Sequence, residues 1–146
     1  GYANRILWPA FHLRLDLAHF DSGWYEGYRR VNARFAEALA EELTPGDVVW
    51  VHDYHLIPLA TELRRRRLRN RIGFYLHIPF PTPDALWAIP YQEELMADLA
   101  AYDPEVPVQG LHRVQEDRRR PGRRVAHPVA RGLPPGSRCP ACPARC

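Results

Sequence analysis

The chain is 146 residues long, with 20 basic side chains, all of them arginine, against 17 acidic ones and a formal net charge of +3; that length allows one modest domain or part of a larger one. It holds no uninterrupted apolar run of about 18 residues and no basic leader ahead of an apolar stretch, so neither a helical membrane span nor a signal peptide is expected, and the cytoplasm is the expected compartment. Gly1 stands first and Tyr2 to Trp8 reads as mid-chain sequence, so the expectation is a fragment of a longer protein.

The composition divides at Asp103. Residues 1–103 carry 11 arginines against 14 acids and every Phe, Trp and Tyr of the chain. Residues 104–146 carry 9 arginines against 3 acids, eight of the fifteen prolines and all three cysteines. The first part can fold around an aromatic and aliphatic core. The second has too little apolar surface to bury, so a disordered tail is expected.

In chain order, Trp24, Tyr28, Val31, Phe35, Leu39 and Leu43 recur at steps of three and four, which predicts a helix with one apolar stripe. Asp21 or Ser22 caps its start, and Thr44-Pro45-Gly46 ends it. Val48 to Val51 is a continuous apolar run rich in β-branched residues, the pattern of a strand buried on both faces. Leu56 to Arg67 reads as a helix whose last turn, Arg64 to Arg67, suits the negative end of the helix dipole. Ile72 to Leu76 reads as a second buried strand, and Asp84 to Ala101 as helix again, interrupted near Pro90. Strand, helix and strand within roughly 30 residues make a βαβ unit, so the fold class is α/β with a Rossmann-like parallel sheet.

Ligands of open parallel sheets bind beyond the carboxyl ends of the strands. His52-Asp53-Tyr54-His55 follows the first strand and His77-Ile78-Pro79 the second, so the two segments can meet one ligand. A carboxylate such as Asp53 suits vicinal sugar hydroxyls, because it accepts two hydrogen bonds at once. His77 can donate one bond without carrying a fixed charge. Pro79, Pro81 and Pro83 stiffen the loop that follows it. A lone Asp or His after a strand serves more often as a helix cap or a satisfied core group, but two such ends in one βαβ unit favour a shared site. Residues 1–103 contain no glycine-rich phosphate loop, metal-ligand array or nucleophile elbow.

In the tail, Arg118-Arg119-Arg120 and Arg123-Arg124 could neutralise nucleic-acid phosphates, yet no aromatic residue interleaves them, and no nucleic-acid partner is expected. Cys139-Pro140-Ala141-Cys142 with Cys146 falls short of a four-ligand zinc site, the nearest histidine being His127.

Asn4-Arg5-Ile6-Leu7-Trp8-Pro9, Phe11-His12, Arg14-Leu15-Asp16-Leu17, Gly27-Tyr28 with Val31-Asn32, the stretch Val51–Leu59 and the stretch Asn70–Pro83 together resemble the trehalose-6-phosphate synthase family. The resemblance is collinear from residue 1 to about 103, and HDYHL with LHIPFP at this separation is highly specific. It implies a partial N-terminal, acceptor-side domain of a GT-B glycosyltransferase in residues 1–103. In the full enzyme that domain binds glucose 6-phosphate, a second domain binds UDP-glucose, and the products are trehalose 6-phosphate and UDP with the donor configuration retained. No metal or other cofactor is implied, and the full enzyme can be a homo-oligomer. Matched by motif, Asp53 binds acceptor hydroxyls, Trp8 walls the acceptor pocket, and His77 is the catalytic-site histidine near the donor glucose, with Ile78 beside it. By residue type alone Trp8 would be core packing, and His12 and His55 read as structural hydrogen-bonding groups.

The chain also departs from the family. An N-terminal loop carrying phosphate contacts would precede Gly1. After Asp103 the family continues with a strand resembling Leu-Val-Gly-Phe-Gln-Thr, whereas this chain reads Pro104-Glu105-Val106-Pro107. The abrupt onset of the tail within a family block suggests a frameshift or misjoined reading frame. The fragment is therefore expected to be inactive alone. Two alternatives stand beside the synthase: a related transferase on the same scaffold, such as a glucosylglycerol-phosphate synthase or a pseudo-glycosidic coupling enzyme, and a non-catalytic remnant.

Overall fold

The computed structural model describes residues 1–104 together with Val125 and Ala126. Apart from Pro104, Val125 and Ala126, the tail expected to be disordered, with its arginine runs and its Cys139–Cys142 pair, lies outside the described residues. No helix among the described residues is long and apolar enough to cross a membrane.

A π-helical stretch, Ala3–Leu7, runs directly into α1, Trp8–Phe11, and a 3-10 turn follows at Leu15–Leu17. The periodicity of the sequence predicted nothing before Trp24. Ile6, Leu7, Ala10 and Phe11 are nevertheless buried on one helical face, a stripe too short to weigh without its partners. They pack with Tyr2, Tyr28, Tyr54, Ile57, Ile89 and Leu95 in the first of two core clusters.

Helix α2 spans Ser22–Glu42, and Asp21 caps it by accepting a hydrogen bond from the Gly23 amide at 2.8 Å. Its deeply buried positions are Tyr28, Asn32 and Ala36, so the core face is rotated from the predicted stripe, and Val31 remains 49% exposed. Asn32 holds a core position with its amide nitrogen satisfied, donating to the Tyr28 carbonyl at 3.0 Å and the His55 carbonyl at 3.2 Å, while its Oδ1 is buried without a hydrogen-bond partner among the described residues.

Strand β1, Val48–His52, lies at the centre of a three-stranded parallel sheet between β2, Arg71–Tyr75, and β3, Val125–Ala126. Both predicted strands are therefore found, and two residues of the tail join the open edge of β1. Val49, Val51 and Ile72 are fully buried against Ala36, Leu59, Ala60 and Leu63 in the second cluster. Each such aliphatic side chain contributes about 1.5–3 kcal/mol when fully buried.

The predicted helix from Leu56 begins later, as α3, Leu59–Arg65, after a 3-10 turn at Tyr54–Leu56. The carbonyls ahead of α3 are taken by α2 instead of by the helical ladder: the Tyr28 hydroxyl donates to that of Tyr54 at 2.5 Å and the Asn32 amide to that of His55 at 3.2 Å, and the Glu62 amide donates to the Pro58 carbonyl at 3.1 Å. Beyond β2, helices α4, Pro83–Trp87, and α5, Gln92–Leu99, are separated at Pro90, as expected. The Arg29 guanidinium bridges Glu62 of α3 and Asp98 of α5, both buried carboxylates, and so ties three helices together.

Candidate functional site

The register of the sheet builds the site. His52 lies opposite Tyr75 in the β1–β2 ladder. Because strand side chains alternate, His77, two residues past Tyr75, continues on the same face. The rings meet accordingly: His52 and His77 stack with centroids 5.1 Å apart, and the Tyr75 ring stands edge-on to His77 at 4.7 Å. His52 Nδ1 and His77 Nε2 are 2.9 Å apart, one hydrogen bond between two imidazoles.

Asp53 follows in a conformation that L-residues rarely adopt, φ 69° and ψ 163°. Such a backbone costs about 1–3 kcal/mol and persists only where its surroundings over-determine it. The surroundings do so here. The Asp53 amide donates to the Tyr75 carbonyl at 2.8 Å, extending the ladder by one bond, and the Leu56 amide donates to the Asp53 carbonyl at 3.2 Å. Downstream carbonyls are held by side chains: Tyr54 by Tyr28, His55 by Asn32, and both Leu56 and Ile57 by the Tyr102 hydroxyl at 2.8 and 3.1 Å. Burial pushes the phenols of Tyr28 and Tyr102 above their ordinary value, so both remain donors. The Asp53 carboxylate caps the following turn through Oδ1, which accepts from the Tyr54 amide at 3.1 Å. Burial, with the Asp53 charge as a lesser cause, also raises the Tyr54 phenol.

These groups open onto a cleft of about 830 Å³ whose polar lining includes Asn4, Arg30, His52, Asp53, His55 and His77, with Trp24 as its aromatic wall. A carboxylate acceptor, three imidazoles, an amide and an indole form a set suited to a polyhydroxylated ligand, with the exposed Arg30 guanidinium able to meet an anionic group. Among the described residues no group of three or more His, Cys, Asp or Glu side chains is placed to hold a metal ion.

Of the four residues singled out from sequence, the fold brings Asp53 and His77 to this cleft. Trp8 and Ile78 do not line it. Trp8 is 40% exposed on α1, stacked on His12 at 4.5 Å, and Ile78 packs against the first core cluster. His12 is structural as expected, its Nδ1 lying 2.7 Å from the Trp8 carbonyl. His55 makes the structural hydrogen bond expected of it, to Asn4 Oδ1 at 3.1 Å, and is also exposed in the lining of the cleft. Asn4, Trp24 and Arg30 were not legible as site residues, because only packing α2 and the N-terminal helical segment against β1 brings them there.

The family model for glycosyltransferase family 20 matches residues 1–109. A trehalose-6-phosphate synthase of Enterobacter sp. (strain 638) is 55% identical over 102 residues, which is 70% of this chain and 22% of that protein. An alpha,alpha-trehalose-phosphate synthase (UDP-forming) from Burkholderia xenovorans, solved in complex with glucose-6-phosphate, matches the fold with a TM-score of 0.69 at 52% identity, over 70% of this chain and 23% of that one. A structure from E. coli bound with UDP-2-fluoro glucose matches with the same TM-score of 0.69 and 52% identity, again over 70% of this chain and 23% of its own. The chain thus spans about a fifth to a quarter of the length of the relatives it matches. With the matched segment running through both strand ends that build the cleft, the chain belongs to glycosyltransferase family 20.

Proposed function

We propose that this cleft is the acceptor side of a retaining glucosyltransferase that joins the glucosyl unit of UDP-glucose to glucose 6-phosphate, giving trehalose 6-phosphate and UDP. The observation that carries the reading is Asp53: a carboxylate held in a strained backbone at the end of β1, beside His77 from the end of β2, in one cleft. The names of the relatives, and the glucose-6-phosphate and UDP-2-fluoro glucose bound to two of them, support the choice of substrates.

In this reading Asp53 Oδ2 accepts hydrogen bonds from acceptor hydroxyls, and His77 lies near the donor glucose with Ile78 beside it. Trp8 serves as the acceptor wall once the remainder of a GT-B enzyme is in place. The anomeric hydroxyl of glucose 6-phosphate forms the new bond to C1 of the donor glucose on the face from which UDP leaves. The bond from C1 to the phosphate oxygen breaks, and the departing phosphate takes the hydroxyl proton. The protein contributes positioning and electrostatics, without a metal or other cofactor. The setting is the cytoplasm, with neither nucleic acid nor membrane as partner, and the complete enzyme can self-associate. Residues 1–146 alone give no turnover, because the donor-side contacts belong to a second domain.

The test is kinetic. The matched 102 residues replace their counterpart in the full-length Enterobacter enzyme, and UDP release is followed with both substrates. In that background Asp53→Ala lowers kcat/KM for glucose 6-phosphate by the equivalent of about 1.5–3 kcal/mol, the range for hydrogen bonds to a charged group, while UDP affinity hardly moves. Asp53→Asn separates charge from capping, since it keeps an oxygen for the Tyr54 amide. Near-normal acceptor kinetics in Asp53→Ala would remove Asp53 from the site.

A further inference from the structure

We propose that His52 is a positioning residue for His77: it fixes which nitrogen of the His77 ring is offered to substrate and in which tautomer. The inference rests on the reading of His77 as a sugar-contacting residue and adds a requirement to it. One proton lies between His52 Nδ1 and His77 Nε2, 2.9 Å apart, so one ring donates and the other accepts. His77 Nε2 is thereby committed to the protein, and Nδ1 is the nitrogen left for a ligand. When His52 donates, neutral His77 carries its proton on Nδ1 and presents a donor. When His77 donates, neutral His77 presents an acceptor there.

Orientation is fixed by the same neighbours. The two imidazoles stack at an interplanar angle of 20°, with Tyr75 edge-on to His77 and the Trp50 ring edge-on to His52 at 6.3 Å. His52 itself stands on the last residue of β1, in register with Tyr75, so its position is set by the sheet and not by a loop. A rigid strand holding one ring against a second ring on a loop end is the arrangement that aims the second one.

Two substitutions separate the hydrogen bond from the packing. His52→Phe keeps a flat ring in the stack and removes the bond. His52→Asn loses the stack but can present either an amide N–H or a carbonyl oxygen where Nδ1 stood. The first readout is direct: the imidazole nitrogen chemical shifts of His77, measured by NMR on the 146-residue chain and its two variants. One dominant tautomer is expected in the parent chain, a mixture in His52→Phe, and recovery toward the parent in His52→Asn. Identical His77 shifts in all three would overturn the proposal.

The second readout uses the full-length chimera. A misplacement of about 1 Å can cost on the order of 100-fold, so His52→Phe is expected to lower kcat by tenfold or more toward that limit, with KM for glucose 6-phosphate little changed and His52→Asn restoring most of the loss. Loss in Phe with no rescue by Asn assigns the effect to packing and also overturns the proposal. His77→Ala serves as the reference. If it retains full turnover, the reading of the cleft fails, and the NMR comparison alone decides the tautomer claim.

Discussion

At the amino ends of β1 and β2 the polar side chains bond to one another and to the backbone, whereas at the carboxyl ends they line a cleft. Asp47 accepts from both the amide and the hydroxyl of Thr44, Asn70 donates to the carbonyls of Thr44 and Asp47, and Asp103 accepts from the Ile72 amide and Arg64. That end of the sheet uses its polar groups to close loops. At the other end the Asp53 backbone is strained, and Asp53, His52, His55 and His77 line the cleft. Polarity at a strand end therefore does not mark a candidate site by itself; opening onto a cleft does.

The largest expected effect attacks the props beneath the carboxyl end. Burial raises the phenols of Tyr2, Tyr28 and Tyr102 above their ordinary value near 10, so the folded chain holds these protons more tightly than the unfolded one. Their contribution is fully present below about pH 10 and is lost as pH rises beyond it, by about 4 kcal/mol per pH unit for the three together. Urea denaturation at a series of alkaline pH values should show a steep fall in stability. In Tyr102→Phe the slope should drop by about 1.4 kcal/mol per pH unit, the share of one titrating group. A flat profile would mean that these phenols are not buried donors.

Asn70→Ala tests the closed end. It leaves two carbonyls without their donor, at a cost of about 3 kcal/mol, readable as a lower denaturation midpoint. His55→Ala at the open end should stay within about 0.5 kcal/mol, as an exposed side chain does. Equal costs at the two ends would erase the contrast.

Asp53 combines both characters. Asp53→Gly relieves the positive φ while Asp53→Ala keeps it, so the glycine variant should be the more stable of the two by about 1–2 kcal/mol, with acceptor kinetics lost in both. A smaller gain is expected at Arg67, φ 61°, where α3 ends with the Leu68 amide bonded to the Leu63 carbonyl and the Arg67 amide to that of Arg64. Glycine suits that left-handed position, and Arg67→Gly should raise stability by about 1 kcal/mol with the cleft untouched. Melting temperatures of the single variants check both.

Much of the frame was readable from local pattern. The cap at Asp21, the strands at Val48 and Ile72 and the break near Pro90 are short-range effects of capping geometry, apolar runs and proline stereochemistry. That Asp53 and His77 reach one cleft was readable because strand ends in a parallel sheet converge whatever else the chain does. The late start of α3 depended on the Tyr28 hydroxyl taking the Tyr54 carbonyl, 26 residues away in sequence, and on Asn32 taking that of His55. The rotation of the α2 face required knowing that Asn32 finds partners at Tyr28 and His55. The cleft lining from Asn4, Trp24 and Arg30, and the bond between His52 and His77, arise only when separate elements pack in one register. Local sequence determines which backbone states and which strand ends exist, because those energies lie within a few residues. Which side chains face each other across 25 or 50 residues is decided by packing the elements together, and in this chain that packing makes the site.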